Sequence, residues 1–336
     1  MSLKKLLSVV LGLALLGASA AWAVDSAEEE AWKKEPAYGQ EIRIGYPGSL
    51  CTGSLGIAQL KGFYAAEGLK TRVVRVGLSG NEYANAIGTG KVEVGCGHIA
   101  AMMVPAVNGV RITFTTGIHT GCKSLYVLGK SDIKSLKDLE GKYIAIHDGG
   151  FGGSDHNIAL RFLIRDSVDP QKVKWKVTDA GAAVLAMQGG ELHAALLSDQ
   201  FAWKFVQDGT LRSIRSLTYD PDFNSEACCI YAISSEFAEK NPITAKKLTR
   251  AHEAASAWVM EHPEETVKTL QGNNWASGKY DLVLAMLKTY DYSISDKATE
   301  ETLRKVINDY KTLGIIDKTK DTEETLKRIW DPLASK

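Results

Sequence analysis

Ile44-Gly45-Tyr46-Pro47-Gly48-Ser49-Leu50-Cys51-Thr52-Gly53-Ser54 is echoed by Ile144-Ala145-Ile146-His147-Asp148-Gly149-Gly150-Phe151-Gly152-Gly153-Ser154, about 100 residues further on. The register then holds without a gap through Gly109 and Gly209, with Leu60/Leu160, Val73/Val173, Ala86/Ala186 and Gly90/Gly190 also matching. Most matches fall where a strand ends, a helix begins or a turn calls for glycine. The chain therefore reads as two copies of one α/β unit, and a duplicated unit of this size implies two lobes facing across a cleft.

Working outward, Ile42-Arg43-Ile44-Gly45 alternates as a strand, and the Gly/Ser/Thr-rich loop behind it leads into helical spacing over 55–67, stopped by Gly68. The pattern continues as a strand over 71–76, a short helix over 81–88, a small-residue strand ending at Cys96-Gly97-His98 and a helix from Ile99. The second copy repeats this order over 142–147, 154–166, 173–177, 181–187 and 192–197, with a helix from Gln200. Arg111 to Thr116, Ser124 to Leu128 and Cys228 to Ile233 are β-like, and the tail from Asn241 is mostly helical, with Pro242 in the first turn of a helix that runs to Glu261. Strands alternating with helices over short connections predict parallel sheets covered on both faces. Strands tend to return to their neighbours, which puts the helical tail back on the first lobe. The expected organisation is a signal peptide over 1–23, a solvated leader over 24–40, a discontinuous first lobe over 41–122 plus 229–336, and a second lobe over 123–228.

The signal reading rests on Lys4 and Lys5, the apolar run from Leu6 to Leu16 and the small residues ending at Ala21-Trp22-Ala23. That run is too short to span a bilayer, so the mature chain is expected in the periplasm, cut near Ala23 and not inserted in the membrane. The 336 residues carry 40 basic and 40 acidic side chains, and removing Lys4 and Lys5 leaves 38 against 40. No global field steers such a chain to nucleic acid. The 45% hydrophobic content is enough for two cores. Five cysteines are too few for a disulfide framework and leave one over.

In open parallel sheets, ligands bind beyond the carboxyl ends of the strands, where loops meet helix starts. The repeat singles out four such loops in two matched pairs: Pro47 to Ser54 with His147 to Asp155, and Gly97-His98 with Ser198-Asp199. Free backbone N–H groups at Thr52 to Ser54 and Gly152 to Ser154 suit a polar or anionic group, while Ser54 and Ser154 have capping as the alternative role. His98 is expected to face the cleft. Cys51, His98, His119, Cys122, Cys228 and Cys229 are N/S donors, but no C-x-x-C or H-E-x-x-H spacing supports a metal, and none is expected. Cys122 could instead bridge to Cys228 or Cys229. Phe151, Trp203 and Trp275 could stack on a ring or pack in the core. Asp155, His156 and Asp199 lack an activated nucleophile beside them, so no catalytic residue and no cofactor are assigned.

Phe63-Tyr64-Ala65-Ala66-Glu67-Gly68-Leu69, Gly90-Lys91-Val92-Glu93-Val94-Gly95, Leu136-Lys137-Asp138-Leu139-Glu140-Gly141-Lys142 and Gly189-Gly190-Glu191-Leu192-His193-Ala194-Ala195 resemble the nitrate/sulfonate/taurine-type substrate-binding proteins of ABC importers. These belong to a superfamily that also holds thiamin-pyrimidine-precursor-binding proteins, and the resemblance covers 40–330. It implies an α/β, bilobed type II periplasmic-binding fold with two crossovers, near 120–126 and 226–232, and hinge closure on a small-molecule solute. It also implies an ABC permease with its ATPase as partner, no enzymatic activity, and a monomer. The matching ligand positions are Ser49, Leu50, Cys51, Thr52, Gly97, His98, Thr120, Gly121, Phe151, Gly152, Gly153, Ser154, Asp155, Asp199 and Gln200. These loops contain no arginine or lysine, which points away from a dianion and toward a small polar organic solute. The alternatives are a metal- or redox-linked binding protein using Cys and His near the hinge, and a thiamin-pyrimidine-synthase-like enzyme, of which Cys228-Cys229 is a faint echo.

Overall fold

The computed structural model describes residues 27–77 and 80–335. The signal-peptide reading at 1–23 lies outside the described residues. Among the described residues, ten strands make two sheets: β1 Glu41–Gly45, β2 Lys70–Val74, β3 Val94–His98, β4 Ile112–Thr120, β5 Lys123–Leu128, β6 Tyr143–Ile146, β7 Lys174–Val177, β8 Ala194–Ser198, β9 Leu211–Ser216 and β10 Ala227–Ser234. The first sheet has the order β2-β1-β3-β10-β4 and the second β7-β6-β8-β5-β9.

The duplication is visible in that topology. β1 pairs in parallel with β2 and β3, and β6 pairs in parallel with β7 and β8. The last strand of each copy crosses over and becomes the fourth strand of the other sheet, running antiparallel to both neighbours: β5 between β8 and β9, β10 between β3 and β4. The chain thus passes between sheets twice, at Gly121-Cys122 and between β9 and β10. This is the bilobed α/β fold with two crossovers.

Two expectations change. The second copy contains a strand not expected from the sequence, β9, the counterpart of β4, where Arg212 and Arg215 break the apolar alternation that would announce it. The stretch read as a solvated leader is partly docked: Trp32 is buried, and its indole N–H donates to Thr244 Oγ1 at 2.9 Å. Glu35 accepts from the backbone N–H groups of Ile243 and Thr244, at the start of the helix Pro242–Glu261. A carboxylate there satisfies donors that the helix itself leaves free.

The packing joins the lobes. One continuous apolar cluster includes Ile44, Val94 and Tyr231 from the first sheet and Leu125, Ile144 and Leu196 from the second, and a further cluster lies on each sheet, around Ile87, Met103 and Phe114 on the first and Tyr126, Val184 and Leu197 on the second. Among the described residues, no helix is long and apolar enough to cross a membrane.

Candidate functional site

A cavity of about 240 Å³ opens between the lobes at the strand ends. Ser49, Cys51, Thr52 and His98 line it from the first lobe, and His147 and Asp148 from the second. Tyr83, Cys96, Gly97 and Cys229 complete most of the wall. The loop after β1 is held by its own contacts: the Tyr46 hydroxyl donates to Ser49 O at 2.6 Å, and Ser49 Oγ lies 2.7 Å from Thr52 Oγ1. Gly48, at φ +80°, lies against Trp275, whose Cδ1 stands 2.9 Å from where a Cβ would be. Trp275 meets the Tyr46 ring edge-on at 5.0 Å, so it packs beneath the loop.

Lys123 forms the back of the second-lobe wall and was not foreseen among the rim loops. It is the first residue of β5, just past the crossover, and it is buried. Its ammonium donates to Asp148 and Ser154 at 3.0 Å each and pairs with Asp155. Burial alone would lower its pKa, but the two carboxylates outweigh that and raise it above the ordinary lysine value. Asp148 moves the other way, since Lys123 and Ser154 overcome the effect of its burial. One buried cation between two carboxylates leaves this wall with a negative balance. Among the described lining residues none is arginine or lysine.

Six donor side chains gather beneath the cavity. Cys122 Sγ lies 3.2 Å from Cys228 Sγ and 3.3 Å from His98 Nε2, and Cys228 Sγ lies 3.4 Å from His98 Nδ1. Cys51, Cys229 and His119 close the group. All five cysteines are free thiols. Consecutive strand residues ordinarily point to opposite faces, but register shifts on either side of Cys229 in the β10–β4 pairing bring both Cys228 and Cys229 inward. Burial would raise the Cys122 thiol, yet hydrogen bonding with the Cys228, Cys229 and Cys51 thiols and the neighbouring His98 hold it well below the ordinary value. Hydrogen bonding to Cys122 pushes Cys51 up, and burial pushes Cys228 and Cys229 up. No linear motif announces this group, because it is assembled from the loop after β1, the ends of β3 and β4, the crossover and β10.

The remaining sequence candidates are placed elsewhere. Leu50 is fully buried in the core, and Phe151 points outward at 62% exposure against His156. Three of the N–H groups expected to be free at the loop-to-helix turns are in use: Gly53 donates to Leu50 O, Gly153 to Gly150 O and Gly152 to His156 Nδ1. Neither serine caps its helix. Ser54 Oγ is buried without a partner, and Ser154 Oγ donates to Asp148 at 2.6 Å. Asp155 accepts from His147 N and Asp148 N at 2.9 Å, so its charge shapes the loop from inside. Asp199 is fully buried, accepting from the Tyr126 hydroxyl at 2.7 Å and from Thr218, and burial raises its pKa to about 6. Gln200 reaches across to Ser277 O at 3.2 Å, on the rim of a neighbouring cavity. Thr120 N donates to Asp291 O, and Gly121, at φ +77°, presses on Thr218.

Comparison with known proteins places this geometry in context. The alkanesulfonate-binding protein SsuA from Xanthomonas axonopodis pv. citri, solved bound to MOPS, superposes with a TM-score of 0.69 at 17% identity, over 87% of this chain and 98% of that one. The periplasmic nitrate-binding protein NrtA from Synechocystis PCC 6803 gives 0.72 at 13% identity, over 89% and 87%. At these identities the likeness is one of fold. No curated protein sequence gives a significant match. Residues 53–266 match the family model described as NMT1/THI5 like, a span that begins at the helix beside the cavity and runs through both crossovers into the helical tail. The chain belongs to the NMT1/THI5-like family.

Proposed function

We propose that this chain is an exported, monomeric solute-binding protein that captures a small polar organic solute between its lobes and hands it to an ABC permease and its ATPase. The observation that carries the reading is the cavity itself, lined from both lobes by Ser49, Thr52 and His98 on one side and His147 and Asp148 on the other. A site divided between two lobes couples occupancy to closure, because the ligand's contacts are complete only when the lobes meet. At about 240 Å³ it sits just under the ~300–1,000 Å³ range of sites for drug-sized molecules, so the solute is small. The negative balance of Asp148, Asp155 and Lys123 favours a neutral or cationic solute over a dianion. The export pattern before Ala23, the family membership and the fold shared with periplasmic proteins support the same reading.

Binding without turnover is the version we adopt. The thiols that line the cavity are all pushed up, Cys51 by hydrogen bonding to Cys122 and Cys96 and Cys229 by burial, whereas the acidified Cys122 lies outside the lining. The test is a thermal-shift screen of the mature chain against sulfonates, nitrate, pyrimidines, amines and amino-acid derivatives, followed by calorimetry. One neutral or cationic class should raise Tm, bind with an affinity that His98→Ala weakens, and be recovered unaltered. Chemical conversion of the solute, or no organic class that binds, would sink the proposal.

A further inference from the structure

The sulfur and imidazole groups under the cavity carry an assignment beyond solute capture. Cys51, His119, Cys122 and Cys229 place one donor atom each within 4.8 Å of all the others, and His98, Cys122, Cys228 and Cys229 form a second quartet sharing two of the same thiols. We propose that the first quartet binds a thiophilic metal cation, Zn2+ or Cu+, at the floor of the cleft.

The backbone departs from regularity where these donors are delivered. Cys122 holds φ at 106°, a conformation that a residue with a Cβ rarely adopts. Such conformations persist only where the surrounding structure enforces them, and they cluster at functional sites. The irregular register at Cys229 turns a second thiol to the same point. Tyr292 fixes the third, since its hydroxyl donates to the carbonyls of Leu50 and Cys51 at 3.0 and 3.1 Å.

His119 supplies an independent sign. It is completely buried, and its Nδ1–H donates to Thr120 O at 2.9 Å. That bond leaves Nε2 with a lone pair and no hydrogen-bond partner, on a ring that has a donor nitrogen within 4.8 Å of all three thiols. A buried unpaired nitrogen is costly. An imidazole anchored through one nitrogen to a carbonyl, with the other free, is the usual arrangement of a metal-ligating histidine. The Tyr290 and Tyr292 rings, centred 5.1 and 5.5 Å from that of His119, hold it in place.

Donor chemistry selects the ion. Three thiols and one imidazole suit tetrahedral Zn2+ or Cu+, and neither quartet contains the carboxylates that Mg2+ or Ca2+ requires. A Cys122–Cys228 disulfide is the competing use of the cluster. It would engage two sulfurs and leave His119 Nε2 unexplained. Cys51 and Cys229 belong to the cavity wall, so an ion can enter from the cleft.

The full chain, reduced and kept free of oxygen, is titrated with Zn2+ and with Cu+ against competing chelators, and with Co2+ as a chromophoric probe of thiolate ligation. The expected result is metal retained through gel filtration, with sulfur-to-cobalt charge-transfer absorption. One bound ion whose affinity His119→Gln lowers reports the first quartet, one ion indifferent to that change overturns the assignment, and two ions report that the edge-sharing second quartet fills as well. Cys122→Ser with Cys229→Ser should abolish binding, and His156→Gln, outside both quartets, should leave it intact. If the double variant does not fold, His119→Gln replaces it, with an expected loss on the order of 10- to 100-fold in affinity. Absence of thiolate–metal absorption in the wild type, or undiminished affinity in these variants, overturns the assignment. So does a Cys122–Cys228 bridge in the isolated protein whose reduction confers no metal binding. Because the organic-solute screen is run on metal-free protein as well, failure of either idea leaves the other standing.

Discussion

Arg161 Nε donates to Asp309 at 2.8 Å across the boundary between the lobes, while its Nη2 donates to Glu226 at 2.7 Å beside the second crossover. Arg161 lies on the helix Ser154–Arg165 that follows β6, and Asp309 on the helix Asp296–Thr312 of the tail. Arg161 and Glu226 are almost wholly shielded from water. Replacing Arg161 with Ala leaves Asp309 to Arg165, at 3.0 Å, and Glu226 to the more distant Lys305, at 3.7 Å, and breaking a buried pair of this kind typically costs about 3–5 kcal/mol. Urea unfolding of the variant should show a loss of that order, whereas a change below ~1 kcal/mol would mean that the network is bypassed by solvent.

Lys123→Met removes the cation from Asp148 and Asp155 without removing the stem that packs there. The variant should lose stability by about 3–5 kcal/mol at neutral pH and recover part of it as the pH falls and the carboxylates protonate. Chemical denaturation at two pH values reads both effects. Asp148 also faces the cavity, so solute affinity should fall together with stability.

His252 is stacked on Tyr231 with ring centroids 4.3 Å apart, and neither of its ring nitrogens has a hydrogen-bond partner. Burial lowers its pKa to about 3. The unfolded chain therefore binds a proton that the folded chain refuses, and stability is lost as the pH drops below the ordinary histidine value, by about 3 kcal/mol at pH 4. His252→Phe keeps the stack and has nothing to protonate. Its advantage over the wild type should grow steadily from pH 7 to about pH 4 in thermal melts, and a constant difference would contradict this account.

Asp199 acts with the opposite sign. Its folded pKa of about 6 lies above the ordinary aspartate value. The folded chain keeps a proton that the unfolded chain has released, so its stabilising contribution is lost as the pH rises through about 6. Asp199→Asn cannot ionise, and its stability relative to the wild type should climb by about 2 kcal/mol between pH 4 and pH 7, then level off. Parallel pH profiles for the two proteins would remove the shift from consideration.

Gly153 and Gly53 occupy equivalent places in the two copies but not equivalent surroundings. A Cβ on Gly153 would meet Asp148 O at 2.2 Å, a backbone atom that cannot step aside, whereas one on Gly53 would meet the side-chain atom Leu270 Cδ1 at 2.6 Å. Gly153→Ala should therefore displace the loop carrying His147 and Asp148 and weaken solute binding markedly. Gly53→Ala should be absorbed by a rotamer change, at about 1–3 kcal/mol. Calorimetric affinities and melts of the two variants separate the cases.

Much of the architecture is legible in the residues because glycines and small side chains at strand ends are demanded by backbone geometry, which the two copies share. The repeat therefore finds β1 to β3 and β6 to β8 and the loops around the cleft. β9 escapes because its arginines are recruited by Asp166, Asp220 and Asp222 and by the carbonyls of Ser131 and Ile133, interactions that no periodicity encodes. The site is less legible. Ser49, Cys51, Thr52 and His98 reach the cavity as the loop argument expects, but Asp155 and Asp199 turn inward because buried partners satisfy them. Lys123 is hidden at a crossover. The six Cys and His donors can be named from the residues, but their gathering into quartets cannot, because Cys122 and Cys229 are far apart in the chain and meet only through a left-handed residue and a bulge, neither of which leaves a spacing to count.

The exchange of strands between the copies also dictates the order in which the chain can fold. As it is made from its N-terminus, β3 and β4 exist with the gap between them unfilled until β10, beginning at Ala227, arrives to pair with both. An open pair of edges cannot close into a stable sheet and attracts wrong partners. The first sheet is thus unable to become native early, and the late strand acts as a latch that closes it only once about two-thirds of the chain has been made.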